Sequence, residues 1–157
     1  VVMIHPGGFT QPERLGRFYL NNVLGNPLET TIALHYLILD GVLERHPTLK
    51  LLAAHGGGFL PAYSGRIDHA WGARSDTHGD LPHAPSTYLK RVYVDAIVFT
   101  EHQLAALVAL LGIEHVLMGT DYPYDMGEYD PLGHLAGLDT ARMAAIAGGN
   151  ARRLFGM

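Results

Sequence analysis

Lys50-Leu51-Leu52-Ala53-Ala54-His55-Gly56-Gly57-Gly58-Phe59 is the stretch whose reading decides the fold. Five residues with the pattern of a buried strand end in a histidine, three glycines follow, and an aromatic residue opens a helical pattern. A titratable side chain at the carboxyl end of an apolar strand is costly to bury alone, and in α/β proteins it marks the mouth of a site. His55 is therefore the first candidate for chemistry.

The same grammar recurs on either side. Val1-Val2-Met3-Ile4 runs into His5-Pro6-Gly7-Gly8, and His115-Val116-Leu117-Met118-Gly119-Thr120 runs into Asp121-Tyr122-Pro123. A fourth run, Arg91-Val92-Tyr93-Val94, ends in Asp95. Strands separated by helices that all deliver polar residues at their carboxyl ends converge on one face.

Composition narrows the function classes. The 157 residues, 48% of them hydrophobic, suffice for one domain with a real core. Eleven basic and fifteen acidic residues give a formal charge of −4 with no basic stripe, which argues against nucleic acid as a partner. The sequence holds no cysteine, so disulfides and thiolate metal sites are excluded. No stretch reaches the ~18 apolar residues of a membrane span and no basic n-region of a signal peptide is present, so no membrane partner and a cytoplasmic location are expected. Ten histidines are the count that matters, because imidazole both binds metals and titrates near neutral pH.

Taken in order, the first strand carries no initiator methionine and starts as core, which points to a fragment. Residues 7–25 form a connection longer than usual between strand and helix, containing Arg14, Arg17, Tyr19 and Asn21, suited either to substrate contacts or to a surface lid. The spacing predicts a packing helix over 27–45, with His35 as an ordinary helix histidine. A second helix over 58–73 carries Arg66 and Trp71. At ~1.5 Å rise per residue, Arg66 lies on the order of 10 Å down that helix from the glycine turn, so it is either a surface charge or serves a neighbouring subunit. Residues 74–85 read as an excursion loop whose His78 and His83 lack a rigid scaffold. A strand over 88–95, a helix over 101–111, the strand leading to Asp121 and a last helix over 140–154 complete the chain.

This alternation is that of an α/β protein with a parallel sheet and right-handed crossovers. Four βα units make either a small doubly wound sheet or half of a (β/α)8 barrel, and the converging polar residues and the missing start favour the half barrel.

Ile4-His5-Pro6, Gly25-Asn26-Pro27-Leu28-Glu29-Thr30-Thr31, Ala54-His55-Gly56-Gly57-Gly58, Gly65-Arg66-Ile67 and Gly119-Thr120-Asp121-Tyr122-Pro123 together resemble the amidohydrolase-related superfamily. The nearest likeness is the branch containing aminocarboxymuconate-semialdehyde decarboxylase and related aromatic-acid decarboxylases. The resemblance runs in matching order over essentially the whole chain. It implies a TIM barrel of which residues 1–157 are the C-terminal half, a single partial metal-dependent hydrolase domain made of strands five to eight. The His-x-His pair that the family keeps on its first strand has no counterpart in these residues.

The resemblance also implies roles. His5 is expected to be a metal ligand. Asp121 is expected to be a ligand that also holds the metal-bound water and so shares in catalysis, and His55 the catalytic acid or base beside it. Arg66 matches the position of an arginine that reaches a partner subunit's substrate carboxylate, and Tyr19 loosely matches an aromatic that lines the pocket. Gly7 replaces the family's tryptophan, and Tyr124-Asp125 stands where a second proline is usual. Those departures bear on substrate more than on metal.

The residue types suit this chemistry on their own. Neutral imidazole and carboxylate bind Zn²⁺ or a similar divalent ion, which lowers the pKa of bound water to about 7, and a neighbouring histidine can take or return a proton. The expected activity is metal-dependent decarboxylation of a small aromatic or muconate-type carboxylic acid by a homodimer or higher homo-oligomer of the full-length enzyme. The alternatives are a hydrolase of the same superfamily and a non-catalytic half-barrel fragment or assembly module. His-Gly-Gly-Gly also marks the oxyanion hole of some esterases, but Ser64 lies in Ala62-Tyr63-Ser64-Gly65-Arg66 and not in a Gly-x-Ser-x-Gly elbow.

Overall fold

Each apolar run that ends in a polar residue forms a short strand: β1 (Val2–Ile4), β2 (Leu51–Ala53), β3 (Tyr93–Asp95) and β4 (Val116–Leu117). The computed structural model describes residues 1–8 and 11–157, so residues 9–10 of the long connection after β1 lie outside the described residues. The strands make one parallel sheet in the order β1-β2-β3-β4, with Ile4 opposite Ala53, Ala53 opposite Val94 and Val94 opposite Val116. A doubly wound sheet reverses its order at a switch point. Here spatial order follows chain order throughout, the arrangement of four successive units of a (β/α)8 barrel.

Helices follow each strand. After β1 come α1 (Asn26–Leu39) and the single turn α2 (Val42–Arg45). After β2 come α3 (Leu60–Ala73), α4 (Ser75–His78) and α5 (Pro85–Leu89), and after β3 comes α6 (Glu101–Leu111). The last strand leads to α7 (Pro131–His134), α8 (Thr140–Ala144) and α9 (Asn150–Phe155). Thr100, Asp130 and Asp139 cap α6, α7 and α8 by accepting from the backbone N–H three residues on, which removes one orphan donor from each. Among the described residues no helix is long and apolar enough to cross a membrane.

The core lies between the sheet and these helices. Leu51, Ala53, Val92, Val94 and Val116 meet Leu34, Ile38, Leu60, Ile67, Leu104, Leu107 and Ile146. The opposite face of the sheet is thinner, with Leu52 and Leu117 covered by Leu154 of α9 and with Val2 and Met3 exposed.

Four sequence expectations change. The helix over 27–45 is broken at Gly41, whose left-handed φ of 67° separates α1 from α2. The strand over 88–95 starts only at Tyr93, because Pro85 opens α5, Asp68 Oδ1 accepts from the Ser86 N–H, and Tyr88 is buried with its hydroxyl on Glu44. Tertiary partners override the β-propensity of Thr87 and Tyr88 there. The helix over 140–154 is interrupted by a π-type turn at Ala145–Gly149, and the loop over 74–85 contains the turn α4.

Candidate metal centre at the strand ends

The sheet register brings the ends of β1, β2 and β4 to one side. His5 directly follows β1, and its Nδ1 lies 3.0 Å from the Pro6 carbonyl. A carbonyl only accepts, so Nδ1 carries a hydrogen and Nε2 is the nitrogen turned to the site. That Nε2 is 3.2 Å from Asp121 Oδ1, while His55 Nε2 is 3.3 Å from Asp121 Oδ2. The two imidazoles meet edge to face with centroids 5.1 Å apart. One ligand atom from each of His5, His55 and Asp121 lies within 4.8 Å of the others.

Local backbone geometry makes this possible. His55 and Asp121 both adopt φ of 55°, the left-handed region that costs a non-glycine residue about 1–3 kcal/mol and clusters at functional sites. At His55 the cost is offset by Asp95, the last residue of β3, whose Oδ2 accepts from the His55 N–H and whose Oδ1 accepts from the Gly56 N–H, both at 2.9 Å. Burial pushes the Asp95 carboxyl above the ordinary range, and the bonds from Gly56, His55 and Ile97 pull it back part of the way. Gly58 also has a positive φ, of 68°, and a Cβ there would collide with the Pro27 carbonyl. Thr31 completes the turn: its hydroxyl donates to Pro27 O at 2.7 Å and accepts from the Phe59 N–H at 2.8 Å.

A cavity of about 300 Å³ adjoins the cluster, with His55 and Asp121 in its wall beside Asn22, Phe59, Ile97 and Phe99. Two larger grooves, of about 390 and 420 Å³, lie between α1 and α3 and between α3 and α6. Neither contains a cluster of metal-binding side chains among the described residues, so donor chemistry rather than size identifies the site.

The structure brings together His5, His55 and Asp121, and it puts the other candidates elsewhere. Tyr19 is half exposed and its hydroxyl donates to Asp125 Oδ1 at 2.8 Å, which raises the phenol's pKa. It thereby joins the connection after β1 to the loop after Asp121. Arg66 is exposed on α3 and borders the α1–α3 groove, a different cavity from the one His55 and Asp121 line. His35 Nδ1 sits 2.7 Å from Thr31 O, and His78 stacks on Trp71 at 4.5 Å. Sequence reasoning noted Asp95 only as another strand end and gave it no role; its kinship with the other three terminations was the available signal. Asn150 gave none: it is buried in α9 and its Nδ2 donates to Ile113 O at 2.8 Å and Val116 O at 2.6 Å, fixing the entry to β4.

The donor set fits a divalent cation. Two imidazole nitrogens facing the two oxygens of one carboxylate can share a divalent cation, and nitrogen and oxygen donors of this kind suit borderline and hard divalent ions. Fold and site together define a class: a parallel α/β half barrel with a histidine and aspartate cluster at the carboxyl ends of its strands. The chain belongs to the amidohydrolase family, whose profile matches residues 1–157.

Its curated relatives include the 2-amino-3-carboxymuconate-6-semialdehyde decarboxylase of Dictyostelium discoideum, 36% identical over 99% of this chain and 45% of that protein. The enzyme of the same name from Caenorhabditis elegans is 33% identical over 83% of this chain and 33% of that protein. The chain thus spans less than half the length of these relatives. Among solved structures, 5-carboxyvanillate decarboxylase LigW from Sphingomonas paucimobilis superposes with a TM-score of 0.86 at 28% identity, covering 99% of this chain and 49% of that one. The apo IDCase of Metarhizium anisopliae gives 0.84 at 29% identity, covering 98% and 48%.

Proposed function

We propose that the whole protein is a divalent-metal-dependent carboxy-lyase that removes CO₂ from a small aromatic or muconate-type carboxylic acid, with residues 1–157 supplying strands five to eight of its barrel. The observation that carries this reading is the gathering of three donors, from the ends of β1, β2 and β4, within 4.8 Å. The relatives named above, decarboxylases by name, support the choice of reaction.

His5 and Asp121 are the proposed ligands, with Zn²⁺ the proposed ion because imidazole nitrogen and carboxylate oxygen both lie within its donor range. A bound divalent ion supplies Lewis acidity at the reacting group. His55 is the proposed proton carrier: CO₂ departs, the electron pair of the broken bond stays on carbon, and that carbon takes up a proton held at His55 Nε2. Asp121 Oδ2, 3.3 Å from that nitrogen, orients the ring. Arg66 is proposed to hold a substrate carboxylate in the site of a neighbouring subunit of a homodimer or larger homo-oligomer; its exposure on α3 and the planar fork of guanidinium support this. Tyr19 is proposed to border the substrate through its phenol.

Metal content and CO₂ release from carboxylated aromatic acids, measured on this chain and on a form extended upstream, test the reading. The extended form is expected to hold a divalent ion and release CO₂, with little turnover by the 157-residue chain. Manganese instead of zinc in the metal analysis replaces the ion without touching the reaction. A ring-opened acid in place of CO₂ identifies a hydrolase of the same superfamily. An extended form with neither metal nor turnover, indifferent to His55→Ala, is an assembly module and ends the enzymatic reading.

A further inference from the structure

We infer that Asp95 is the positioning residue for His55: both carboxylate oxygens are committed to the backbone of the turn that aims the imidazole at Asp121. This rests on the reading of His55 as the proton carrier only for its functional meaning; the geometry stands alone.

Asp95 ends β3, the strand beside β2, and its side chain reaches across to where the chain leaves β2. Oδ2 accepts from the His55 N–H at 2.9 Å, and Oδ1 accepts from the Gly56 N–H at 2.9 Å and from the Ile97 N–H at 3.1 Å. His55 and Gly56 are consecutive residues with φ of 55° and 60°, so their N–H groups turn to the same side and form a cradle for an anion. A carboxylate fills that cradle from a neighbouring strand, where a ligand would fill it in a phosphate-binding loop. The segment after β4 is fitted to the same group, since a Cβ on Gly119, two residues before Asp121, would lie 2.9 Å from Asp95 Cβ. Asp95 is only 7% exposed and its oxygens are taken, so it acts through His55 and not on substrate.

Asn at this position keeps size and shape while turning one acceptor into a donor. With its oxygen retained by Gly56 and Ile97, the new NH₂ faces the His55 N–H, donor against donor. The test is NMR on the 157-residue chain without metal. In the wild type, the His55 and Gly56 amides are expected to be protected from hydrogen exchange and the His5 and His55 rings, 5.1 Å apart, to give a mutual NOE. In Asp95→Asn, His55 amide protection is expected to fall at least about tenfold and the ring NOE to vanish, with amides of α1 unchanged. Retention of both signals overturns the inference, as does a loss of protection spread evenly over the core, which would mark a purely structural residue. If the variant does not fold, the wild type decides: His55 and Gly56 amides exchanging at open-loop rates overturn it. Failure of the extended form to bind metal, with the ring contact intact, sinks the enzymatic reading and leaves this one standing.

Discussion

His5 and Asp121 are separated by 116 residues, yet His5 Nε2 lies 3.2 Å from Asp121 Oδ1. With Nδ1 turned to the Pro6 carbonyl, a neutral ring would set a lone pair against a carboxylate oxygen unless a cation lies between them. Titration with Zn²⁺ is therefore expected to raise the thermal midpoint. The gain is about 2.7 kcal/mol when free metal exceeds its dissociation constant by about 100-fold. His5→Ala and Asp121→Asn are each expected to weaken binding by more than the roughly 10–100-fold that outer-shell losses cause. Isothermal titration on the three proteins measures it; equal affinities would put the ion elsewhere.

Gly58 and Gly65 make a matched pair. Alanine at Gly58 meets a φ of 68° and the Pro27 carbonyl, whereas a Cβ at Gly65 within α3 has nothing within 4 Å. Gly58→Ala is expected to lose more than the roughly 1–2 kcal/mol of a left-handed backbone alone, and Gly65→Ala to gain roughly 0.5–1 kcal/mol. Urea midpoints of both variants decide, and a neutral Gly58→Ala would mean that the turn relaxes.

Asn150→Ala leaves the Val116 carbonyl without its side-chain donor, while the Ile113 carbonyl keeps the Val116 N–H. An unsatisfied buried acceptor costs about 1–3 kcal/mol, and the strand it releases is the one that leads to Asp121. Denaturation should show the loss, with weaker metal binding as its companion. A variant as stable as the parent would show that water replaces the amide.

Tyr88 gives a pH dependence. Burial, then the hydrogen bond to Glu44 and its negative charge, raise the phenol's pKa above 10.0. A folded value above the unfolded one means that the neutral phenol's contribution is complete below about pH 10 and is lost as pH rises through the folded value. Tyr19 shifts in the same direction, so comparison with Tyr88→Phe isolates the effect. The wild type should lose stability more steeply than the Phe variant above about pH 10; parallel curves would refute the assignment.

Much of the architecture was legible because parallel strands are buried on both faces and read as unbroken apolar runs, as at residues 51–54 and 116–118. His5, His55 and Asp121 were legible for the same reason, each being a polar stop after such a run. Asp95 was visible as a residue and invisible as a role, because a carboxylate's commitment to two backbone N–H groups on the next strand depends on register, which no local pattern carries. The same holds for Asn150, whose partners are 34 and 37 residues away. The strand expected from residue 88 gives way because Pro85, whose fixed φ favours the first turn of a helix, opens α5.

The Thr31 hydroxyl serves two masters, giving its hydrogen to α1 and its lone pair to Phe59, the residue before α3. Loosening of the first turn of α1 should accordingly spread into the glycine segment and let the His55 imidazole drift while the four strands still hold. Gradual warming would then be expected to extinguish metal affinity some degrees ahead of global melting, a gap that Thr31→Val, which keeps the shape and discards both bonds, should widen.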